Sequence, residues 1–297
     1  MSVRSHRAAR PERAALVRWL EREDVVDGEG RVWSWLNPEH PGYAYPEAGG
    51  LWLAVMAREP AADEARLARV ATWLRACEQG GGIGRDGREY LFDHAMVVAG
   101  RLAWAERRGV AAASERGAIA TMLEHLRNNR ATSPAGDGSR WSERFGAHLL
   151  KLALPLARWV ELHEDAEAAR ALVRLHDQLR PRSDDGRVPS VGAEGPTYLH
   201  ACCYAAEGLW RLSEAPLPPA RRADARALAE RTAAWLASVQ RADGGLPQWH
   251  DGTHGWGPAP ADVAAQAVRL WSGLGRERYG DAIERSLGFL ATMAAPC

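Results

Sequence analysis

Residues 197–211 read TYLHACCYAAEGLWR, and residues 220–241 read ARRADARALAERTAAWLASVQR. Both have helical spacing, but they are different kinds of helix. The first carries almost no charge, and a helix that is apolar nearly all round is buried all round. The second sets arginines with Asp224 and Glu230 along one side, the mark of a helix lying on a core with its charged face in water. A fold that holds this pair must enclose one helix and leave its sequence neighbour outside.

The alternation runs the length of the chain. Outer-type helices are predicted over residues 11–23, 62–79, 113–130, 165–180, 220–241 and 276–294, and inner-type helices over 46–57, 93–105, 147–160, 197–211 and 260–272. In the first outer segment Leu16, Trp19 and Leu20 share the apolar face. A long loop rich in Gly, Asp and aromatic residues follows each outer helix, as in GGGIGRDGREYLF (80–92) and DGGLPQWHDGTHGWGPAP (243–260). Most inner-to-outer links are shorter. This punctuation recurs about every 50–60 residues, the signature of a helical repeat.

Inner and outer helices that alternate, with the long loops at one end, predict an all-α fold: an α/α toroid of about 11 helices. An open solenoid has the same pattern, but full enclosure of the inner helices favours a closed ring. The sixth inner helix is missing, so the ring is expected to be incomplete or closed by the N-terminal region. No linker composition interrupts the pattern, and residues 1–297 read as a single domain.

The chain has 38 basic and 38 acidic side chains and a formal net charge of zero. That balance argues against nucleic acid or an anionic membrane as a partner held by charge. No apolar run approaches the roughly 20 residues that span a bilayer, and MSVRSHRAARPERAAL lacks the apolar stretch of a secretory signal. A cytoplasmic location is expected. The cysteines, Cys77, Cys202, Cys203 and Cys297, match no disulfide framework or zinc ribbon, in keeping with a reducing compartment.

Residues 235–249, WLASVQRADGGLPQW, resemble the QW-type repeat of terpenoid cyclases and other α/α toroids. YLFDHAMVVAGRL (90–102) and TYLHACCYAAEGLWRL (197–212) resemble inner-helix segments of toroid proteins of polysaccharide metabolism. These include the glucuronyl C5-epimerase and N-acylglucosamine 2-epimerase groups. The resemblance covers most of the chain as architecture, and such folds host many chemistries.

With the long loops on one rim, the first turn of each inner helix is expected to open into one funnel. The residues there are Glu47, Asp93, His94, His148, His200 and Asp262, with Lys151, Cys203, Tyr204 and Gln266 one turn further in. Polar groups in a low-dielectric funnel need partners, water or a ligand. For Glu47, Asp93 and Asp262 the other role is capping at a helix N-terminus.

His94, His148 and His200 are expected at one level on three successive inner helices, where imidazoles move protons in either direction. The toroid sugar epimerases that these segments resemble are understood to use histidine acid/base pairs. Asp93 and Asp262 would orient the rings, and the loop histidines His40, His250 and His254 would supplement them. A lone helical histidine otherwise reads as core.

His200 with Cys203 and Tyr204, and His250-x-x-x-His254, have spacings that zinc uses. The ligand motifs of the lanthionine cyclases, zinc proteins on a related toroid, are missing, and neither metal nor cofactor is expected. Lys151, the single lysine, is a candidate base or Schiff-base amine, or a side chain snorkelling to the rim.

Trp33, Trp35, Tyr43, Tyr45, Tyr90, Trp141, Phe145, Trp249 and Trp256 precede inner helices and would wall the funnel. Aromatic faces of this kind stack on sugar rings or hold a carbocation. Arg140 and Arg144 flank Trp141 as a clamp for a carboxylate or phosphate, or as part of a salt-bridged loop.

The DxDD and DDxxD motifs of terpene cyclases, phosphate-gripping loops and a GxSxG elbow are all missing. The pattern therefore predicts a carbohydrate-active enzyme using cofactor-independent acid/base chemistry. The expected reaction is epimerisation or elimination on a sugar, with a uronic acid among the candidates, and the partner is a small-molecule or oligosaccharide substrate. A glycoside hydrolase using Glu47, Asp93 or Asp262 is the near alternative. A terpenoid- or peptide-tailoring cyclase and a non-catalytic glycan- or peptide-binding scaffold are the others. The sequence sets no oligomeric state.

Overall fold

Each predicted helix has a counterpart in the computed structural model, which describes residues 10–36, 39, 42–79, 83–85, 87–190 and 195–294. The helices are α1 (Arg13–Leu20), α2 (Pro46–Met56), α3 (Glu64–Gln79), α4 (Leu91–Arg107), α5 (Arg116–Arg127), α6 (Ala153–His163), α7 (Ala166–Leu179), α8 (Leu199–Glu214), α9 (Pro219–Ser238) and α10 (Ala261–Met293). The last of these holds both the final inner and the final outer segment, divided by a kink at Gly275, whose φ of 150° few side-chain-bearing residues adopt. Among the described residues no helix is long and apolar enough to cross a membrane.

The chain divides into two compact units. The N-proximal unit comprises Leu16–Phe145 and Leu152–Leu175, and the C-proximal unit comprises residues 10–15, Gly146–Lys151 and residues 176–294.

In the N-proximal unit the inner helices α2 and α4 touch backbone to backbone. A methyl group at Gly50 would come within 2.4 Å of the Met96 carbonyl oxygen, and one at Gly100 within 2.3 Å of the Gly50 oxygen. Trp52, Leu53 and Met56 of α2, Leu67, Val70 and Leu74 of α3, and Val97 and Trp104 of α4 make one core cluster with Val25, Val26 and Ile83.

Helix α4 is enclosed as its composition predicts, but α2 is not. Leu51 and Val55, one turn apart, are exposed. In α1 the expected face is also displaced. Leu16 and Trp19 are exposed, while Val17 and Leu20 pack on the core. The Leu20 carbonyl accepts a hydrogen bond from the Trp52 indole at 2.9 Å. A one-residue change of register rotates a helical face by about 100°, and this bond fixes which register wins.

In the C-proximal unit α8 packs on α9 and α10. Gly208 of α8 admits the backbone of Leu150, which a methyl group there would meet at 2.2 Å. The buried Trp271 of α10 satisfies its indole on the Ala233 carbonyl at 2.9 Å.

The long loops, which show no strand periodicity in the sequence, carry short strands. β1 (Gly84–Arg85), β2 (Arg88–Tyr90) and β3 (Thr132–Ser133) form one antiparallel sheet in the N-proximal unit. β4 (Thr197–Tyr198), β5 (Trp249–His250) and β6 (Gly255–Trp256) form another in the C-proximal unit. Strand β2 runs directly into α4 and β4 into α8, so each sheet aims the first turn of an inner helix.

These glycines give opposed predictions. Gly100→Ala and Gly208→Ala should each destabilise by about 1–3 kcal/mol, lowering Tm by roughly 2–4 °C per kcal/mol. Gly280→Ala, with nothing within 4 Å of the added methyl in the middle of α10, should stabilise by up to about 1 kcal/mol. Thermal unfolding of the three variants decides the assignment.

Candidate active site

Where each helix begins determines which way its first turn points. His94 is the fourth residue of α4, whereas His200 is the second residue of α8. Two positions turn a side chain by about 200°, so the two histidines do not hold equivalent places. His148 lies in a 3-10 helix, Ala147–Leu152, rather than in an α-helix. His94 belongs to the N-proximal unit, and His148 and His200 to the C-proximal unit. His40 lies outside the described residues.

In the N-proximal unit His94 faces α3. Its Nε2 lies 3.9 Å from Glu78, and Arg101 pairs with Glu78 at 2.5 Å and with Glu115 at 2.7 Å. Burial pushes the His94 imidazole down to about 4, against the opposing pull of Glu78. The ring is a neutral member of a buried charge cluster.

Asp93 points elsewhere and is only 1% exposed. Its carboxylate lies 3.3 Å from Nη1 of Arg85. Tyr45 donates to Glu47 and accepts from Arg85, and Arg85 donates to Ser142 Oγ at 3.5 Å. The hydrogen bonds of Glu47 and Asp93 thus run to one another's neighbours rather than to helix-terminal amides. The Arg85 guanidinium lies 4.2 Å over the Tyr90 ring and 5.5 Å from the Tyr45 ring. Burial, and then the charge of Glu47, push the Asp93 carboxyl up to about 8, although Arg85 pulls the other way. Burial pushes the Tyr45 hydroxyl up as well, with Glu47 and Asp93 adding to the shift.

Sequence reasoning missed Arg85 and Ser142. The signal for Arg85 was present, because Asp-Gly at 86–87 is the sequence signature of a two-residue hairpin turn, and Gly87 has a φ of 71°. The arginines that were singled out serve the loop. Arg144 donates to the Gly138 carbonyl at 2.6 Å, and Arg140 is exposed next to the short 3-10 helix Trp141–Glu143. That helix is tied down by Arg88, which meets Glu143 at 2.9 Å. The rings of Trp35, Tyr43 and Tyr45 form a chain with centroids 5.4 and 5.3 Å apart, and Trp33 pairs with Ala44 in an isolated bridge.

In the C-proximal unit His200 Nδ1 lies 2.5 Å from Asp262 Oδ2. Asp262 also accepts from the Val263 amide at 2.9 Å, within the first turn of α10. Its pKa is lowered, as the hydrogen bond and charge of His200 outweigh burial. The Gln266 amide sits 3.3 Å from the same ring nitrogen.

Tyr204 meets the His200 ring edge to face at 4.3 Å, and Tyr198 lies 5.8 Å away. Tyr198 contacts Trp249 at 4.8 Å, and Trp249 and Trp256 are parallel within 11° at 6.4 Å. A short aromatic wall therefore runs from the histidine onto the β5–β6 hairpin. His148 is fully buried, and burial followed by the charge of His200 pushes it down to about 3, leaving it neutral.

Lys151 is spent on structure. It pairs with the buried Glu207 at 3.0 Å and lies 3.9 Å over the Tyr204 ring, and Arg269 reaches the same glutamate at 3.4 Å. His250 Nδ1 accepts from the Gly252 amide at 2.9 Å, and the His254 amide donates to Asp251 at 2.7 Å, so both serve their hairpin. Cys203 is buried and its thiol pKa is pushed well up. Among the described residues no group of three or more His, Cys, Asp or Glu side chains is placed to hold a metal ion.

No protein-family model matches the chain, and no curated protein matches it in sequence. Solved structures do match in fold. A sugar epimerase from a ruminal bacterium superposes over 91% of this chain and 82% of its own, with a TM-score of 0.69 and 9% identity. A possible member of the GH105 family from Salmonella enterica serovar Paratyphi A covers 98% of this chain and 84% of its own, with a TM-score of 0.66 and 16% identity. The ent-copalyl diphosphate synthase from Streptomyces platensis covers 86% of this chain and 44% of its own, with a TM-score of 0.55 and 19% identity. At these identities the likeness carries the fold alone, and the fold is that of the α/α-toroid proteins.

The perturbed groups make stability depend on pH. Asp93 keeps in the folded state a proton that the unfolded chain releases above its ordinary value of 3.8. Its contribution is therefore full below about pH 4 and lost as pH rises through about 8. Asp93→Asn, which mimics the protonated carboxyl, should match the wild type at pH 4 and exceed its Tm by several degrees at pH 9. A Tm difference that does not change with pH would contradict this assignment.

Proposed function

We propose that the protein is a carbohydrate-active enzyme that works by cofactor-independent acid/base chemistry, with His200 as its base. The single domain expected from the sequence is retained in this reading. The observation that carries it is the His200–Asp262 pair, 2.5 Å from Nδ1 to Oδ2, at the start of a helix that begins in an aromatic-lined sheet.

An aspartate on Nδ1 requires the proton on that nitrogen, which leaves the lone pair on Nε2. Nε2 then removes a proton from a sugar carbon beside a carbonyl or carboxylate, and Asp262 stabilises the imidazolium that forms. Return of the proton to the other face of the carbon gives epimerisation, and departure of a neighbouring oxygen substituent gives elimination. His148, which stays neutral, spares His200 a second positive charge nearby. Tyr198, Trp249 and Trp256 offer ring faces on which a sugar stacks. The names of the structural neighbours, among them sugar epimerases and a polysaccharide lyase, support a carbohydrate substrate. His94, set among Glu78 and Arg101, is assigned no step.

The test is exchange of carbon-bound hydrogen in D2O across a panel of neutral and acidic sugars, followed by mass spectrometry. It detects proton abstraction whatever the product. Exchange of at least one sugar is expected, with His200→Ala lowering it by about 10²–10⁴-fold and Asp262→Asn lowering it less. Full exchange in the His200→Ala variant would remove the histidine from the mechanism.

A further inference from the structure

Asp262 and Gln266 stand one turn apart on α10, so their side chains can reach one place. That place is Nδ1 of His200, which lies 2.5 Å from Asp262 Oδ2 and 3.3 Å from the Gln266 amide nitrogen. A ring nitrogen has one position in the plane of the ring, filled either by a proton or by a lone pair. It cannot give a proton to Asp262 and accept one from Gln266 at once. Asp262 decides between the two. Its side chain is half-exposed, and against burial the hydrogen bond and charge of His200 hold its carboxyl below the usual range. At neutral pH it is therefore an acceptor only. Nδ1 must carry the proton, and an NH2 group aimed at that N–H sets donor against donor.

The other end of the amide points the same way. Gln266 Oε1 is buried and has no hydrogen-bond partner among the described residues, where a buried carbonyl oxygen ordinarily accepts a bond. A half-turn of the amide exchanges its two ends. The oxygen then accepts from Nδ1–H where the nitrogen stood, and the NH2 takes the place in which no donor of the described residues meets it.

We propose that Gln266 is a positioning residue for His200, its side-chain oxygen sharing the Nδ1 proton with Asp262 so that the ring is held with Nε2 free to act. This assignment rests on the reading of His200 as the base. Two acceptors on one helix give the ring a direction that a single carboxylate does not. Both bonds strengthen when Nε2 gains a proton and the ring becomes charged. A second carboxylate at position 266 would also hold the ring, but it would keep Nε2 protonated to higher pH, where a base must be empty. A neutral amide orients the ring without that effect. The titratable groups facing His200 are Asp262 on α10, His148 in the 3-10 helix Ala147–Leu152, and Tyr198 and Tyr204.

The experiment is 15N NMR of the imidazole nitrogens of the full chain, titrated with pH for the wild type, Gln266→Leu and Gln266→Glu. The wild-type ring should carry its proton on Nδ1. Gln266→Leu, which neither donates nor accepts, should make the ring more acidic by about 2–10-fold, the worth of one hydrogen bond. Gln266→Glu, which accepts but cannot donate, should keep the proton on Nδ1 and make the ring at least about tenfold less acidic. The pH profile of hydrogen exchange into the sugar should move to higher pH in the same variant, a shift that a merely structural role does not produce. A proton that passes from Nε2 in the wild type to Nδ1 in Gln266→Glu shows the amide donating and overturns the proposal, as does a Gln266→Leu titration identical to the wild type. If Gln266→Leu fails to fold, the wild type and Gln266→Glu decide. The titrations need no substrate, so the two readings fail separately. Exchange that survives His200→Ala overturns the base and leaves the hydrogen bond standing, whereas exchange lost in His200→Ala beside an unmoved Gln266→Leu titration overturns the role of Gln266 alone.

Discussion

A charge that leaves water must find a partner, and in this protein that requirement organises every polar side chain on the enclosed helices. Helices α4 and α8 are apolar almost all round, so an ionisable group on either is held by whatever neighbours the packing offers. Asp93 is held by Arg85, His200 by Asp262, Lys151 by Glu207, and Arg101 by Glu78 and Glu115. The identity of the partner sets the protonation state. A carboxylate beside a second carboxylate keeps its proton, a histidine whose burial outweighs its charged neighbours loses its own, and a histidine on an aspartate has its tautomer fixed.

The same requirement separates structural pairs from candidate chemistry. Lys151 and Glu207 satisfy each other almost completely out of solvent, with Arg269 adding a second cation. Such a pair specifies packing and leaves little for a substrate. His200 and Asp262 sit where the helix emerges from a sheet edge, beside stacked aromatic faces, and Glu47 keeps partial access to solvent. Accessibility of one member distinguishes these clusters from the rest.

Much of the fold was legible in the sequence because the alternation of charged-face and uncharged helices is a physical signal repeated along the whole chain. Every helix was found near its place. The faces of short helices were harder to read. In α1 Leu20 packs on the core as expected, but Val17 takes the place of Leu16 and Trp19, and the Leu20 carbonyl is held by a tertiary bond from Trp52. The site was half legible. Glu47, Asp93, His200 and Asp262 could be picked out as polar residues on apolar helices, but their partners Arg85 and Ser142 come from loops with no periodicity. The places of His94 and His200 in their own helices were not legible either, because strands β2 and β4 start those helices at Leu91 and Leu199, which makes His94 the fourth residue and His200 the second.

The central claim is that Asp262 fixes His200 as a base poised on Nε2. The most direct measurement is the tautomeric state of His200 by 15N NMR of the imidazole nitrogens at neutral pH, in the wild type and in Asp262→Asn. The account predicts a ring protonated on Nδ1 in the wild type, with that preference lost in the variant. A neutral ring carrying its proton on Nε2, unchanged by Asp262→Asn, would contradict it.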